Sequence, residues 1–175
     1  FFSDLQLAKI VLEDLAGVEV TGYRAPSFSI GDANVWAFEC IERAGYRYSS
    51  SVYPIGHDHY GMPDAPRFAH QVNEALIEVP ITTLRLFNRN LPSSGGGYFR
   101  LLPYALFRAA VRRVNTRDRQ AAVFYCHPWE IDPDQPRLPA SAGARIRHYR
   151  NLHLTEGRLG RLMQRFAFGT MAELI

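Results

Sequence analysis

The chain of 175 residues holds only two cysteines, Cys40 and Cys126, and a single lysine, Lys9. Two thiols make at most one disulfide, which excludes both a disulfide-built scaffold and a four-cysteine zinc site. No stretch approaches the roughly 18 to 20 uninterrupted apolar residues that a membrane-crossing helix needs. Internal repeats and low-complexity tracts are also missing. The first residue is Phe1, and no basic segment followed by an apolar core marks a secretory leader. The compartment therefore stays open.

What is present suits a packed domain of ordinary size, or part of a larger one. Hydrophobic residues make up 47% and charged residues 21%, enough apolar surface for a core and too little charge for wholesale disorder. Twenty basic side chains against 17 acidic ones give a net charge of +3. That small excess is weak ground for a nucleic-acid partner.

The pattern along the chain reads as α/β. A first helix opens near Ser3 or Asp4 as cap, carries Leu5, Ile10, Leu12 and Leu15 on an apolar face, and stops at Gly17. Val18 to Arg24 alternates like a strand. Asp32 or Asn34 caps a helix through Val35, Trp36, Cys40 and Ile41 that closes at Gly45, and a second strand lies between Tyr46 and Tyr53. That order is typical of a parallel α/β fold.

Residues 54 to 70, rich in Gly, Pro and His, read as a long functional loop. Ala75 to Leu86, interrupted by Pro80, reads as one or two strands. Ser93-Ser94-Gly95-Gly96-Gly97 reads as a flexible turn. It lacks the Gly-Lys-Ser/Thr of a phosphate loop. A helix spans Phe99 to Val114, broken or begun near Pro103. Ala121 to Cys126 reads as a buried strand running into His127-Pro128-Trp129-Glu130. Residues 132 to 144 form a loop, and a last helix begins at Thr155-Glu156 and ends at Gly169.

Three chemically loaded places follow expected strands: Arg24 and Pro26, the 54 to 70 loop, and His127. In parallel α/β folds the carboxyl ends of the strands share one rim, so the pattern predicts that these places meet.

The segment Arg24-Ala25-Pro26-Ser27-Phe28-Ser29-Ile30 resembles the Arg-x-Pro motif of NodB-type polysaccharide deacetylases, carbohydrate esterase family 4. Ala44 to Ser51, His57-Asp58-His59-Tyr60-Gly61, Gly95 to Arg100 and the run Phe124 to Pro133 are similar to the branch of that family associated with exopolysaccharide export and exosortase systems of Gram-negative bacteria. The likeness extends over the whole chain.

The resemblance implies a distorted (β/α) barrel that hydrolyses acetyl groups from a sugar polymer. A divalent metal, usually zinc, would polarise the carbonyl and activate water. On this likeness His127 corresponds to the general acid and Arg24 to the arginine orienting a base carboxylate. Pro26 and Phe28 would line the substrate site; beside the likeness, Trp129 is placed to stack on a sugar ring and Glu130, three residues after His127, to orient it. Acetylated polysaccharide is the implied partner, in the cytoplasm or periplasm.

The family's early aspartate pair and its His-x-x-x-His segment have no counterpart here, and Ser49 stands where the branch often has Asp. The chain thus reads as the carboxyl-terminal part of one catalytic domain, residues 1 to 175, lacking the first strands of its barrel. As such it is expected to bind no metal and to show little activity alone. His57 and His59, two apart, are the weak alternative ligands.

Blander readings fit the same residues. His127 can be a hydrogen-bonded structural histidine, Arg24 a salt-bridge partner near Asp32, and Glu130 an ordinary loop carboxylate. Trp36 suits a core. Two other functions stay open. One is a non-catalytic glycan-binding remnant using Trp129, Tyr60 and Tyr98. The other is a basic nucleic-acid or partner-binding domain using Arg112, Arg113, Arg117 and Arg119.

Overall fold

A computed structural model describes residues 1–56 and 61–175. The chain forms two compact units, one of residues 1–83 with 170–175, the other of residues 84–169.

The first unit begins with helix α1 (Phe2–Ala16), stopped by Gly17 in the left-handed conformation at φ 66°, where a residue without Cβ is unstrained. No side chain caps the start of α1, so the expected Ser3 or Asp4 cap does not form. The expected apolar face is also only partly used. Leu5 is buried, whereas Ile10, Leu12 and Leu15 are half or more exposed.

Strand β1 (Gly22–Tyr23), helix α2 (Ala37–Arg43) and strand β2 (Tyr48–Ser49) form the expected β-α-β unit. β2 lies parallel to β1 and to β4 (Ile77–Glu78), and β4 takes β3 (His70–Gln71) antiparallel, giving the order β1-β2-β4-β3. The core packs α1 and α2 on this sheet through Leu5, Ile30, Phe38, Ile41, Tyr46, Val52 and Leu76. Trp36 stays 56% exposed, outside the core suggested for it.

The second unit follows from the hairpin of β5 (Thr83–Leu86) and β6 (Arg89–Pro92). Helix α3 (Gly96–Leu101) ends where Leu102 turns extended ahead of Pro103, and α4 (Tyr104–Arg113) then starts. A proline has no N–H to give and pushes its predecessor out of helical geometry, so the break is local in origin. Helices α5 (Ala142–Tyr149) and α6 (Leu152–Arg165) complete the unit. Its core is aromatic: Phe99 stands edge-on to Phe107 at 4.8 Å and to Phe124 at 5.2 Å.

Two expectations need correction here. Ala121 to Cys126 belongs to no strand, and only Val123 within it is buried. Its apolar character serves the aromatic core through Phe124 instead of a ladder. α5 begins inside the expected 132–144 loop, with Ser141 as its cap, and continues to Tyr149. The architecture is mixed α/β with two small sheets, and among the described residues these do not close into a barrel.

Candidate functional site

His127 is the centre of a polar array in the second unit. The turn Pro128–Ile131 begins directly after it, with Pro128 at its first position. That turn brings Glu130 back over His127, whose Nδ1 donates to Glu130 Oε1 at 2.9 Å while its backbone N–H donates to the same oxygen at 3.1 Å. The other carboxylate oxygen accepts from Arg100 Nε at 2.8 Å. Arg100 and Glu130 are each about 1% exposed, whereas the His127 side chain is 56% exposed. A buried, charge-paired carboxylate thus holds one imidazole nitrogen, and none of the described hydrogen bonds engages Nε2.

Arg100 is itself fixed at its remaining nitrogens. Nη1 donates to the carbonyls of His148 and Arg150, and Nη2 to that of Arg147. These are the open carbonyls at the carboxyl end of α5, where a cation is favoured. One guanidinium therefore ties α3, α5 and the Glu130 turn together.

Gly96 explains why the glycine run precedes Arg100. A Cβ at Gly96 would overlap the Glu130 carboxylate, and Gly95, at φ 91°, lies against the Tyr125 ring. Ser93, Ser94, Gly95 and Gly96 are buried, so the expected flexible turn is a packed junction. Ser94 Oγ donates to the Val123 carbonyl there.

Trp129 is half-buried beside this array. His148 stacks on it at 4.2 Å and 10°, His127 at 5.7 Å and 20°, and the Arg100 guanidinium lies 5.2 Å from its ring centre. His148 Nε2 bonds with Gln135 Oε1 at 2.8 Å.

Arg24, Pro26 and Phe28 lie in the first unit. Arg24 follows β1 and reaches the next strand's carboxyl end, donating from Nε to the Ser50 carbonyl and from Nη2 to Ser50 Oγ. Its guanidinium sits 5.5 Å from the Phe28 ring centre. Ser27 and Phe28 both have positive φ, 58° and 52°, a strained geometry for two consecutive residues with side chains. Ala25 N–H donates to Ser51 Oγ, which also accepts from Ser49 Oγ. Glu78, opposite Ser49 in the β2–β4 register, takes the N–H groups of Ser51 and Val52 on Oε1. It is fully buried, and its Oε2 has no hydrogen-bond partner among the described residues. Burial pushes its carboxyl above the usual range, against smaller opposing effects of its hydrogen bonds and His70.

His57, His59 and Tyr60 lie outside the described residues. Among the described residues no group of three or more His, Cys, Asp or Glu is placed to hold a metal. The described side chains thus do not fit the metal that the resemblance implies. Sequence reasoning missed Arg100, Gly96, His148 and Glu78. For Gly96 the three consecutive glycines were the signal, since such a run also marks close backbone approach.

Comparison with known proteins places the chain in one family. The model of the family described as "Domain of unknown function (DUF3473)" matches residues 50–175. That is well over half of the sequence, and the chain belongs to this family. The His127 array lies within the matched region, whereas Arg24, Pro26 and Phe28 precede it. Neither the curated proteins nor the solved structures yielded a match.

Proposed function

We propose that the protein takes part in hydrolytic deacetylation of a bacterial exopolysaccharide, with His127 as the general acid. The observation that carries this reading is the Arg100–Glu130–His127 array. Protonating a leaving amine or alcohol takes an accessible imidazole N–H in a fixed orientation, and a carboxylate on Nδ1 provides both orientation and stabilisation of the imidazolium. The DUF3473 family is associated with polysaccharide deacetylase-like proteins, which supports the same chemistry.

By resemblance alone, Arg24 in the first unit corresponds to an arginine that orients a base carboxylate, and Pro26 and Phe28 to residues that line substrate. Trp129 keeps the imidazole of His127 in place from one side while bordering the sugar. The strained Ser27-Phe28 backbone favours a working site over a plain connection, because strain of order 1–3 kcal/mol per residue persists where the surroundings enforce it. A divalent metal, zinc by resemblance, would have to take its ligands from outside the described residues.

The test is acetate release from N-acetylated and O-acetylated glycans by the full gene product, with zinc present or chelated. Release that falls on His127→Ala supports the proposal. Glycan binding without release, unaffected by His127→Ala, would point to a non-catalytic glycan-binding protein.

A further inference from the structure

The modest net charge of the whole chain hides a sharp partition. Residues 84–169 contain fifteen arginines, no lysine and five carboxylates, a formal +10, while all other residues contain five basic and twelve acidic side chains, a formal −7. Within the second unit, one of the five carboxylates, Glu130, is already committed to the buried Arg100. Four carboxylates remain for fourteen guanidiniums, so most of this charge is not neutralised within the unit. Eleven of the fourteen, including Arg112, Arg117, Arg137, Arg145 and Arg161, are exposed.

Part of that basic surface connects to His127 by direct contacts. The Arg137 guanidinium lies 4.4 Å from the Tyr149 ring centre. Tyr149 meets His148 edge-on at 4.5 Å, and His148 stacks on Trp129 at 4.2 Å, which in turn lies 5.7 Å from His127. Arg145 precedes Tyr149 by one turn of α5, on the same face. Tyr149 Oη fixes the incoming chain by accepting from Leu138 N–H and donating to the Pro136 carbonyl. Arg137 is thus held on an ordered base next to the Trp129–His148 stack, with Arg145 one helical turn away on the same face of α5.

We infer that this face, centred on Arg137 and Arg145 beside the His148–Trp129–His127 stack, binds a carboxylate-bearing glycan such as a uronic-acid polymer. The inference rests on the glycan reading of His127 and specifies its substrate class. Guanidinium groups suit it because their planar fork grips a carboxylate through two parallel hydrogen bonds. A uronate a residue or two from the sugar being deacetylated would then dock on arginine while the acetylated sugar reaches His127.

The experiment measures binding by calorimetry of three probes to the intact protein: an octamer of galacturonic acid, a neutral chito-oligosaccharide of equal length, and single-stranded DNA of eight nucleotides. The expected result is binding of the uronate octamer at least tenfold tighter than either other probe. Arg137→Gln/Arg145→Gln should weaken it at least tenfold, and the charge-matched pair Arg112→Gln/Arg117→Gln less than threefold. Tighter binding of DNA, or equal binding of the neutral oligomer, overturns the inference. Equal losses in the two double variants overturn it too, because they mean diffuse attraction without a site. Two readouts separate the proposals: acetate release by His127→Ala tests the catalytic reading, and uronate affinity of Arg137→Gln/Arg145→Gln tests the binding face. Uronate binding by a protein that releases no acetate would sink only the catalytic reading.

Discussion

Arg100 and Glu130 form a buried ion pair, Nε to Oε2 at 2.8 Å, in which the arginine also closes the end of α5 and the carboxylate also holds His127. Removing one member strands the other charge away from water. We expect Arg100→Met to cost about 3–5 kcal/mol of unfolding free energy. Arg100→Met/Glu130→Leu should cost less than Arg100→Met alone, because no orphan charge remains. Urea denaturation of the variants checks the order; a double variant less stable than the single one contradicts it.

Gly96 is required by the same carboxylate. Gly96→Ala should destabilise by about 1–3 kcal/mol through overpacking, since Glu130 is clamped from two sides and cannot retreat. Gly97→Ala, where a Cβ meets nothing within 4 Å, should be neutral or slightly stabilising. Thermal denaturation that ranks the two variants equally would remove the packed-junction account of the glycine run.

Glu78 gives a pH signature. Burial raises its carboxyl pKa above the ordinary 4.5, so the folded state holds this proton where the unfolded chain has lost it. The stabilisation is complete below about pH 4.5 and is lost as pH climbs through the raised folded value. Glu78→Gln keeps an acceptor for the Ser51 and Val52 N–H groups without the charge. Its stability relative to wild type should therefore rise with pH above 4.5. Paired urea titrations from pH 4 to 8 measure this, and a pH-independent difference contradicts it.

Arg24 is exposed, with its described bonds made to Ser50. Arg24→Lys should shift stability by less than about 1 kcal/mol yet lower acetate release at least tenfold, since lysine cannot reproduce the two-nitrogen grip on Ser50. An equal-activity Arg24→Lys variant would assign this residue to structure alone.

Local chemistry made several elements legible before any coordinates. Gly17 stops α1, Pro103 separates α3 from α4, and the β1-α2-β2 order follows from alternation giving way to helical spacing. What escaped depends on partners distant in sequence. Ala121 to Cys126 has a strand's composition, but composition cannot say whether a ladder neighbour exists, and here Phe124 packs on Phe99 and Phe107. The α1 pattern predicted a buried face, yet only Leu5 of its expected residues meets the core.

The site was half legible for the same reason. His127 and Glu130 are three residues apart, so their pairing follows from a single turn. Arg100 lies thirty residues from Glu130, and an arginine in a sequence gives no sign of whether it is buried. The charge partition was invisible in the +3 total because it follows the boundary between the units.

The central claim is that His127, oriented by Glu130, donates the proton to the leaving group. The most direct measurement is the rate of acetate release by the full gene product and by His127→Ala. Because His127 is exposed, the substitution should leave the fold intact. General acid catalysis of this kind contributes about 10²- to 10⁴-fold, so the account predicts a loss of kcat in that range from a protein destabilised by no more than about 1–3 kcal/mol. A His127→Ala protein that folds normally and releases acetate at the wild-type rate would contradict it.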